Sequence, residues 1–415
     1  MRGIVWLVLL FVAAVVAATT LGRNDGLVSI YFGQWRTDLS LNLFVILVLA
    51  ACAVLIAAAR SIGSLVSLPR RAHAWRELKR ERAAQAALRE ALAELLAARY
   101  SRAHRAAQRA LVIQADTEAL RADLDFAALA HLLGAASLHS MQDRSRRDEL
   151  MRQLGQLPRK AAAPGAVDEG ARLLAAEWAI DDRDAARAIE LLAELPAGVS
   201  RRTQALRLRL LAQRLSQQPL PALQTARLLA KHQAFTPGVA PSLLRTLAGE
   251  ALDETLDADA LRRVWSQLDP ADRRDASLAA RAAARAARFG VHEDARDWLR
   301  PFWDRLHELD ADERQRVALA FVDAVPGMPS EWLPRLEGAM QLLPGDPAVA
   351  VAAGTAMVER QLWGKARRPL EQAAESAGLV GSARRHAWRS LAQLAQREGD
   401  EQRAQRCTHA AAAID

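Results

Sequence analysis

Residues Ala339 to Ala373 read AMQLLPGDPAVAVAAGTAMVERQLWGKARRPLEQA. Within this stretch Gly354, Ala366 and Ala373 stand 12 and 7 residues apart, with Leu370 before the last of them. Small side chains at that spacing suit two antiparallel helices that cross closely and a third that lies against them, because such crossings leave room for little more than a methyl group. Ala339, fifteen residues before Gly354, and Pro344 close a preceding unit of the same kind. A following unit repeats the 12 and 7 spacing in Ala392, Ala404 and Ala411, with Trp388 and Leu391 ahead of it and Gly399-Asp400 in its turn. The offset of 38 from Gly354 to Ala392, against a period of about 34 residues, implies a four-residue insertion around Gly378–Arg384.

The small residues fall where positions 8, 20 and 27 of a tetratricopeptide unit would place them. Upstream, Ala283, Gly290, Ala295 and Leu299 fit one such unit, and Leu174, Asp182, Ala186, Glu190 and Ala193 another. Tyr100, Ala103 and Ala110 fit a first unit. Between 200 and 340 an irregular helical array fits equally well. Composition agrees with helices: 51% of residues are hydrophobic but only 5% aromatic, with 2 Tyr and 8 Phe, so a large sandwich or barrel lacks its usual side chains. The predicted fold class is all-α, two transmembrane helices followed by a tetratricopeptide-like α-solenoid. Gly354, Ala366, Ala373, Ala392, Ala404 and Ala411 are its repeat-packing residues. Cys52 and Cys407 offer no disulfide framework, which suits a reducing compartment for most of the chain.

The formal charge is +8, and its placement matters more than its total. Residues 1–59 carry +1, residues 60–82 carry +5 from Arg60, Arg70, Arg71, Arg76, Lys79, Arg80 and Arg82 against Glu77 and Glu81, and the remaining 333 carry +2. A nucleic-acid binder would place its basic stripe on the folded domain; here the excess abuts an apolar segment, so no nucleic-acid partner is expected. Gly3–Leu21 and Leu41–Ala59 are each nineteen residues without charge, long enough to cross about 30 Å of hydrocarbon. The first exceeds the core of a signal peptide, about 7–15 residues, and a second span follows at once. The loop from Gly22 to Ser40 holds two basic residues and the flank after the second span holds seven. The positive-inside rule therefore puts that flank, and with two spans both termini, in the cytoplasm. The expected domains are a membrane anchor at 1–62 with spans at about 3–21 and 41–59, a basic juxtamembrane segment at 63–82, and a cytoplasmic repeat domain at 83–415.

No glycine-rich phosphate loop, HExxH, CxxC or nucleophile elbow occurs, so no catalytic residue is assigned and an enzyme is not expected. The nine histidines include no pair at the i, i+4 spacing of a helical metal site, and no metal ligand is assigned. A concave solenoid face is instead a docking surface, lined by positions 2, 5, 9 and 12 of each first helix. Those positions nominate Trp178 in one unit, Gln204, Arg207, Leu211 and Arg214 in another, and His386, Arg389, Gln393 and Gln396 in the last. Arginines beside an aromatic suit carboxylates on a partner or a porphyrin.

Two spans joined by GLVSIYFGQWRTDLSL, the basic stretch PRRAHAWRELKRERAAQAALREALAELLAARYSRA, and repeats behind them together resemble the HemY family of proteobacterial inner-membrane proteins. Gly26, Val28, Ile30, Trp35, Trp75 and the Leu88–Leu111 hairpin with Tyr100 carry the match, with a weaker echo from Leu261 to Gly290. Arg99 stands where the first turn often has glycine. The resemblance implies a non-enzymatic scaffold or regulator of late protohaem biosynthesis in the inner membrane. Its partners would be the terminal enzymes, ferrochelatase and protoporphyrinogen oxidase. It would require no cofactor, although haem is admitted as a ligand of the protein itself. The rival expectation is a generic membrane-anchored tetratricopeptide scaffold for envelope protein assembly.

Overall fold

The computed structural model describes residues 26–158, 165–236 and 238–414, and for 59–72 the backbone alone. The chain forms two compact units, Met1–Ala163 and Pro164–Asp415. The span expected at 3–21 lies outside the described residues.

The first unit opens with a feature the loop reading lacked. Strands β1 (Leu27–Phe32) and β2 (Trp35–Ser40) pair antiparallel from Leu27↔Ser40 to Phe32↔Trp35. The chain reverses at Gly33, whose φ of +60° is natural for glycine. Two strands of six residues are too short for alternation to stand out beside a long apolar segment, and Tyr31, Phe32 and Trp35 stay exposed because no second layer covers them. The backbone then runs straight into α1 (Leu41–Leu96), whose first turn is capped by the Ser40 hydroxyl accepting from the Leu43 amide. Leu41–Ala58 is long and apolar enough to cross a membrane and none of it is buried against protein; it is the one such helix among the described residues.

The boundaries drawn at 62/63 and 82/83 both fall inside α1, so span, basic segment and first repeat helix are one continuous element. Its last third packs through Ala84, Ala87 and Ala91, a buried stripe at three- and four-residue spacing. Helix α2 (Tyr100–Ala115) answers with buried Ala103, Ala106, Ala107 and Ala110. After the short α3 (Glu118–Arg121), α4 (Leu124–Ser140) packs on α2, and α5 (Arg144–Gln156) packs on α4. Gly134 marks the last crossing, where an added Cβ would stand 3.0 Å from Leu150.

The second unit contains α6 (Ala166–Asp181), α7 (Ala185–Ala193), α8 (Ala197–Ser200), α9 (Thr203–Leu215), α10 (Pro219–Lys231), α11 (Val239–Asp253), α12 (Ala258–Gln267) and α13 (Pro270–Arg273). It continues with α14 (Ala276–Arg288), α15 (His292–Trp303), α16 (Ala311–Asp323), α17 (Leu333–Leu342), α18 (Pro347–Glu359), α19 (Trp363–Glu375), α20 (Gly381–Arg397) and α21 (Glu401–Ala412). Most of the long helices pack on the next in sequence, and α14, α16, α18 and α20 also pack on one another in turn. Residues 200–340 therefore form helix pairs, separated by the short α8 and α13 and by 3₁₀ turns at Leu306–Glu308 and Ser330–Trp332. Phe321 anchors their core, its ring 4.6 Å from that of Trp303 and 4.9 Å from that of Trp332.

One turn recurs through both units. At its end the amide five residues on bonds the carbonyl that opens it, as in Arg99→Glu94, Asp143→Leu138, Asp184→Ala179, Gln218→Gln213, Val291→Ala286, Leu362→Met357 and Asp400→Ala395. The residue before each donor is left-handed: Ala98, Gln142, Arg183, Gln217, Gly290, Gln361 and Gly399. This is the Schellman closure. The first turn keeps it without glycine, because Ala98 takes the positive φ and Arg99 serves as the N-cap of α2.

Gly354, Ala366, Ala373, Ala392, Ala404 and Ala411 are all buried. Two details go beyond the spacing argument. An added Cβ on Gly354 would meet Leu370, at 2.7 Å. Ala374, the residue after Ala373, is fully buried as well, because α19 packs on both α18 and α20 and neighbouring positions 100° apart are both covered. The insertion at Gly378–Arg384 lengthens α20 to 17 residues against 13 in α18, behind a Ser376–Val380 link.

Candidate docking surface and polar cluster

Gln204, Arg207, Leu211 and Arg214 lie on one face of α9 and are all exposed, Leu211 to 50%. The opposite face, with Ala205, Leu206, Leu208 and Ala212, is buried against neighbouring helices. Arg207 donates to the Ala234 carbonyl at 3.2 Å, which fixes its guanidinium over the end of α10, and Arg214 enters no ion pair among the described residues. The face is an apolar centre between two cations.

Trp178 is not part of such a face. It is 6% exposed in α6, which packs on both α7 and α9, so the groove assignment is corrected to a core residue. Burying an indole removes more apolar area from water than any other side chain offers, and a helix covered on two sides leaves little rim for it to occupy.

On α20, Arg389 and Gln393 are exposed while His386 is half buried. His386 Nε2 lies 3.1 Å from Thr355 Oγ1 on α18. The Thr355 hydroxyl gives its proton to the Val351 carbonyl at 2.7 Å, so toward His386 it accepts. That places the imidazole proton on Nε2 and leaves Nδ1 with its lone pair. Burial pushes the His386 pKa down, the Asp323 carboxylate raises it and Arg389 lowers it. Burial pushes the Asp323 carboxyl up, against the lowering influence of His386, Arg288 and His292. Arg288, His292, Asp323, Thr355 and His386 thus form one electrostatic cluster drawn from α14, α15, α16, α18 and α20. His292 Nδ1 is buried there without a hydrogen-bond partner. The cluster has one guanidinium, Arg288, that can hold a carboxylate, and an imidazole that can accept a hydrogen bond. Its hydroxyl is committed within its own helix, so it supplies no Thr–His nucleophile.

Sequence spacing nominated His386 but missed Asp323 and His292. Asp323, Thr355 and His386 follow one another at 32 and 31 residues, close to the repeat period. A search for polar residues at that period would have found them.

The second unit carries several clefts. One, about 460 Å³, is lined by Glu337, Met340, Met357, Lys365, Arg368 and Gln372 among others, with Lys365 and Glu337 paired at 2.9 Å on its rim. It contains no histidine. The one lined by His307 is about 170 Å³, below the ~300–1,000 Å³ of ordinary ligand sites. A third, about 290 Å³, sits beside Trp265 and Trp298, which stack at 4.9 Å. No group of three or more His, Cys, Asp or Glu side chains placed to hold a metal occurs among the described residues.

No curated protein matches the chain. Residues 26–142 match the family model described as HemY protein N-terminus. The match runs from the hairpin through α1, α2, α3 and α4 to the left-handed residue of the next turn, Gln142. Residues 26–142 are thus a HemY N-terminal domain, the mark of a family associated with haem biosynthesis.

Proposed function

We propose that the protein is a non-enzymatic inner-membrane scaffold of late protohaem biosynthesis, which docks ferrochelatase or protoporphyrinogen oxidase on the exposed face of its cytoplasmic helical repeats. The family match supports the pathway, and the continuity of α1 from an apolar span into the first hairpin supports a tether that holds the repeats near membrane-bound partners. The observation that carries the docking role is the α9 face, where Leu211 stands exposed between Arg207 and Arg214 while the opposite face of the helix is buried. A large aliphatic side chain left in water between cations is the composition of an interface centre with a charged rim. Both termini stay in the cytoplasm in this reading, with Arg23 to Asp38 on the far side.

Affinity capture of the tagged full chain from solubilised membranes tests the proposal. Ferrochelatase or protoporphyrinogen oxidase should be retained, and Arg207→Glu with Arg214→Glu should lose it, since opposing a paired charge costs about 2–5 kcal/mol. Retention of envelope-assembly proteins alone would favour the general scaffold. Undiminished retention by the double variant would remove α9 from the docking surface.

A further inference from the structure

Helix α1 has two opposed faces in its basic stretch. Ala84, Ala87 and Ala91 form the buried stripe against the folded unit, and Arg80 donates to the Asp116 carbonyl at 3.4 Å on the same side. At 100° per residue, Trp75 lies about 180° from Ala84 around the helix, and Leu78, Lys79 and Arg82 share its side. Trp75 is 63% exposed and Leu78 44%. Lys79 Nζ sits 5.2 Å from the centre of the Trp75 ring. Arg76, Lys79 and Arg82 enter no ion pair among the described residues. An indole and a leucine flanked by unpaired cations therefore face away from the protein, on the same helix as the span Leu41–Ala58.

We propose that this face of α1, centred on Trp75, Leu78, Lys79 and Arg82, rests on the anionic lipid headgroups of the membrane that α1 enters. Two observations choose this occupant: the +5 charge confined to residues 60–82, and the continuity of the face with the span. Cations attract acidic headgroups, while a tryptophan prefers the boundary between headgroup and acyl chain. Distance sets a condition. Trp75 lies 17 residues beyond Ala58, about 26 Å along a straight helix, whereas the headgroup layer is about 5–7 Å deep on each side. The helix must therefore lean toward the bilayer plane as it leaves. Pro69, inside α1, lacks the N–H that would bond the Leu65 carbonyl and is the place where such a helix bends. The proposal rests on Leu41–Ala58 crossing the membrane, so its test reads both positions.

The full chain is reconstituted into vesicles of phosphatidylcholine, alone or with about a third phosphatidylglycerol, carrying an environment-sensitive fluorophore on one cysteine. In one sample the label is on Cys52, with Cys407→Ser; in the other it is on Leu78→Cys, with Cys52→Ser and Cys407→Ser. The Cys52 label should report hydrocarbon in both vesicle types. The label at 78 should be quenched by a headgroup-attached quencher only in the anionic vesicles, and return to water near 1 M salt, where the Debye length is ~3 Å. At about fivefold per cation, Lys79→Gln with Arg82→Gln should lower the membrane-bound population about 25-fold. A label at 78 that stays in water in both vesicles, or is equally quenched in both, overturns the proposal while leaving the span intact. Protection that requires an added membrane protein and ignores phosphatidylglycerol assigns the face to an acidic partner and overturns it too. A Cys52 label in water overturns the span and the proposal together.

Discussion

Gly354→Ala adds one methyl group at a close helix crossing of the second unit. Its Cβ would stand 2.7 Å from Leu370 Cγ, 2.8 Å from Cδ2 and 3.3 Å from the Leu370 backbone nitrogen. Carbon contacts settle at about 3.5–4.0 Å, so the overlap approaches ~1 Å. Leu370 is fully buried, and its backbone nitrogen belongs to α19 and cannot rotate aside. The helices α18 and α19 must part. Overpacking of this kind costs about 1–3 kcal/mol, while alanine for glycine inside a helix returns up to ~1 kcal/mol. The net loss is about 1–2 kcal/mol, or roughly 3–6 °C in the melting temperature of a unit this size. Gly338→Ala in α17 is the control, since nothing lies within 4 Å of its added Cβ; it should leave the melting temperature unchanged or raise it. In a Leu370→Ala background the methyl has room, and the cycle should show a coupling of at least ~0.5 kcal/mol. Circular dichroism melts of the detergent-solubilised chain make both comparisons. Equal effects of the two glycine substitutions, or strict additivity in the cycle, would refute the close crossing.

Trp178→Ala should cost about 3–5 kcal/mol, as emptying a core site does, and Ala374→Asp should destabilise as severely as Ala366→Asp; a mild effect of either in urea unfolding would return that position to the surface. His386 should make stability depend on pH: its folded pKa lies below the unfolded value near 6.5, so the unfolded chain takes up the proton first and stability falls as pH drops through and below that value. His386→Gln should reduce that fall, leaving the contribution of His131, which burial also pushes down; an unchanged pH profile would place His386 in water. Gln361→Gly relieves a left-handed residue costing about 1–2 kcal/mol at a conformational-entropy charge of about 0.5–1, so the urea midpoint should hold or rise, whereas Gly290→Ala should lower it. The opposite ordering would argue against the shared turn.

The helix pairs could be read from sequence because their constraint is local in period: a crossing that admits only glycine or alanine leaves a small residue at fixed spacing. Gly354, Ala366 and Ala373 carry it visibly because Leu370 fixes the frame. The turns were less visible, since Gln142, Gln217 and Gln361 adopt a conformation that sequence reasoning assigns to glycine or asparagine. The hairpin at Leu27–Ser40 was hidden because a pair of strands with no covering layer buries nothing and so needs no long alternation. Trp178 shows a further limit. A repeat position predicts where on its helix a side chain points, but whether that side is covered depends on how neighbouring helices pack there. The polar cluster needed the fold outright, since α14 through α20 bring Arg288 and His386 together from 98 residues apart.

The arginines connect stability to docking. Outside the juxtamembrane stretch the charge nearly cancels, and the structure shows how. Arg245 pairs with Asp275 and Arg314 with Asp346, each at 2.6 Å, and both acids cap the helix of the following pair through its first amides. Arg262 reaches Asp294 at 2.6 Å, and Arg281, Arg367 and Arg403 pair with Asp253, Glu398 and Glu371. These partners stand about one repeat apart in sequence, so each pair ties one helix pair to the next or closes one internally. Where a carboxylate serves at once as cap and as partner, the two roles fix the same rotamer, and the ordering entropy that weakens ordinary surface ion pairs is shared between them. An arginine used this way is already neutralised and offers a docking partner little. Arg207 and Arg214 are among the arginines that have no acid partner among the described residues, and they are the two that flank the exposed Leu211. In the docking role proposed for this unit, cations that have no acid of their own and flank an exposed leucine are the ones a partner's carboxylates would reach.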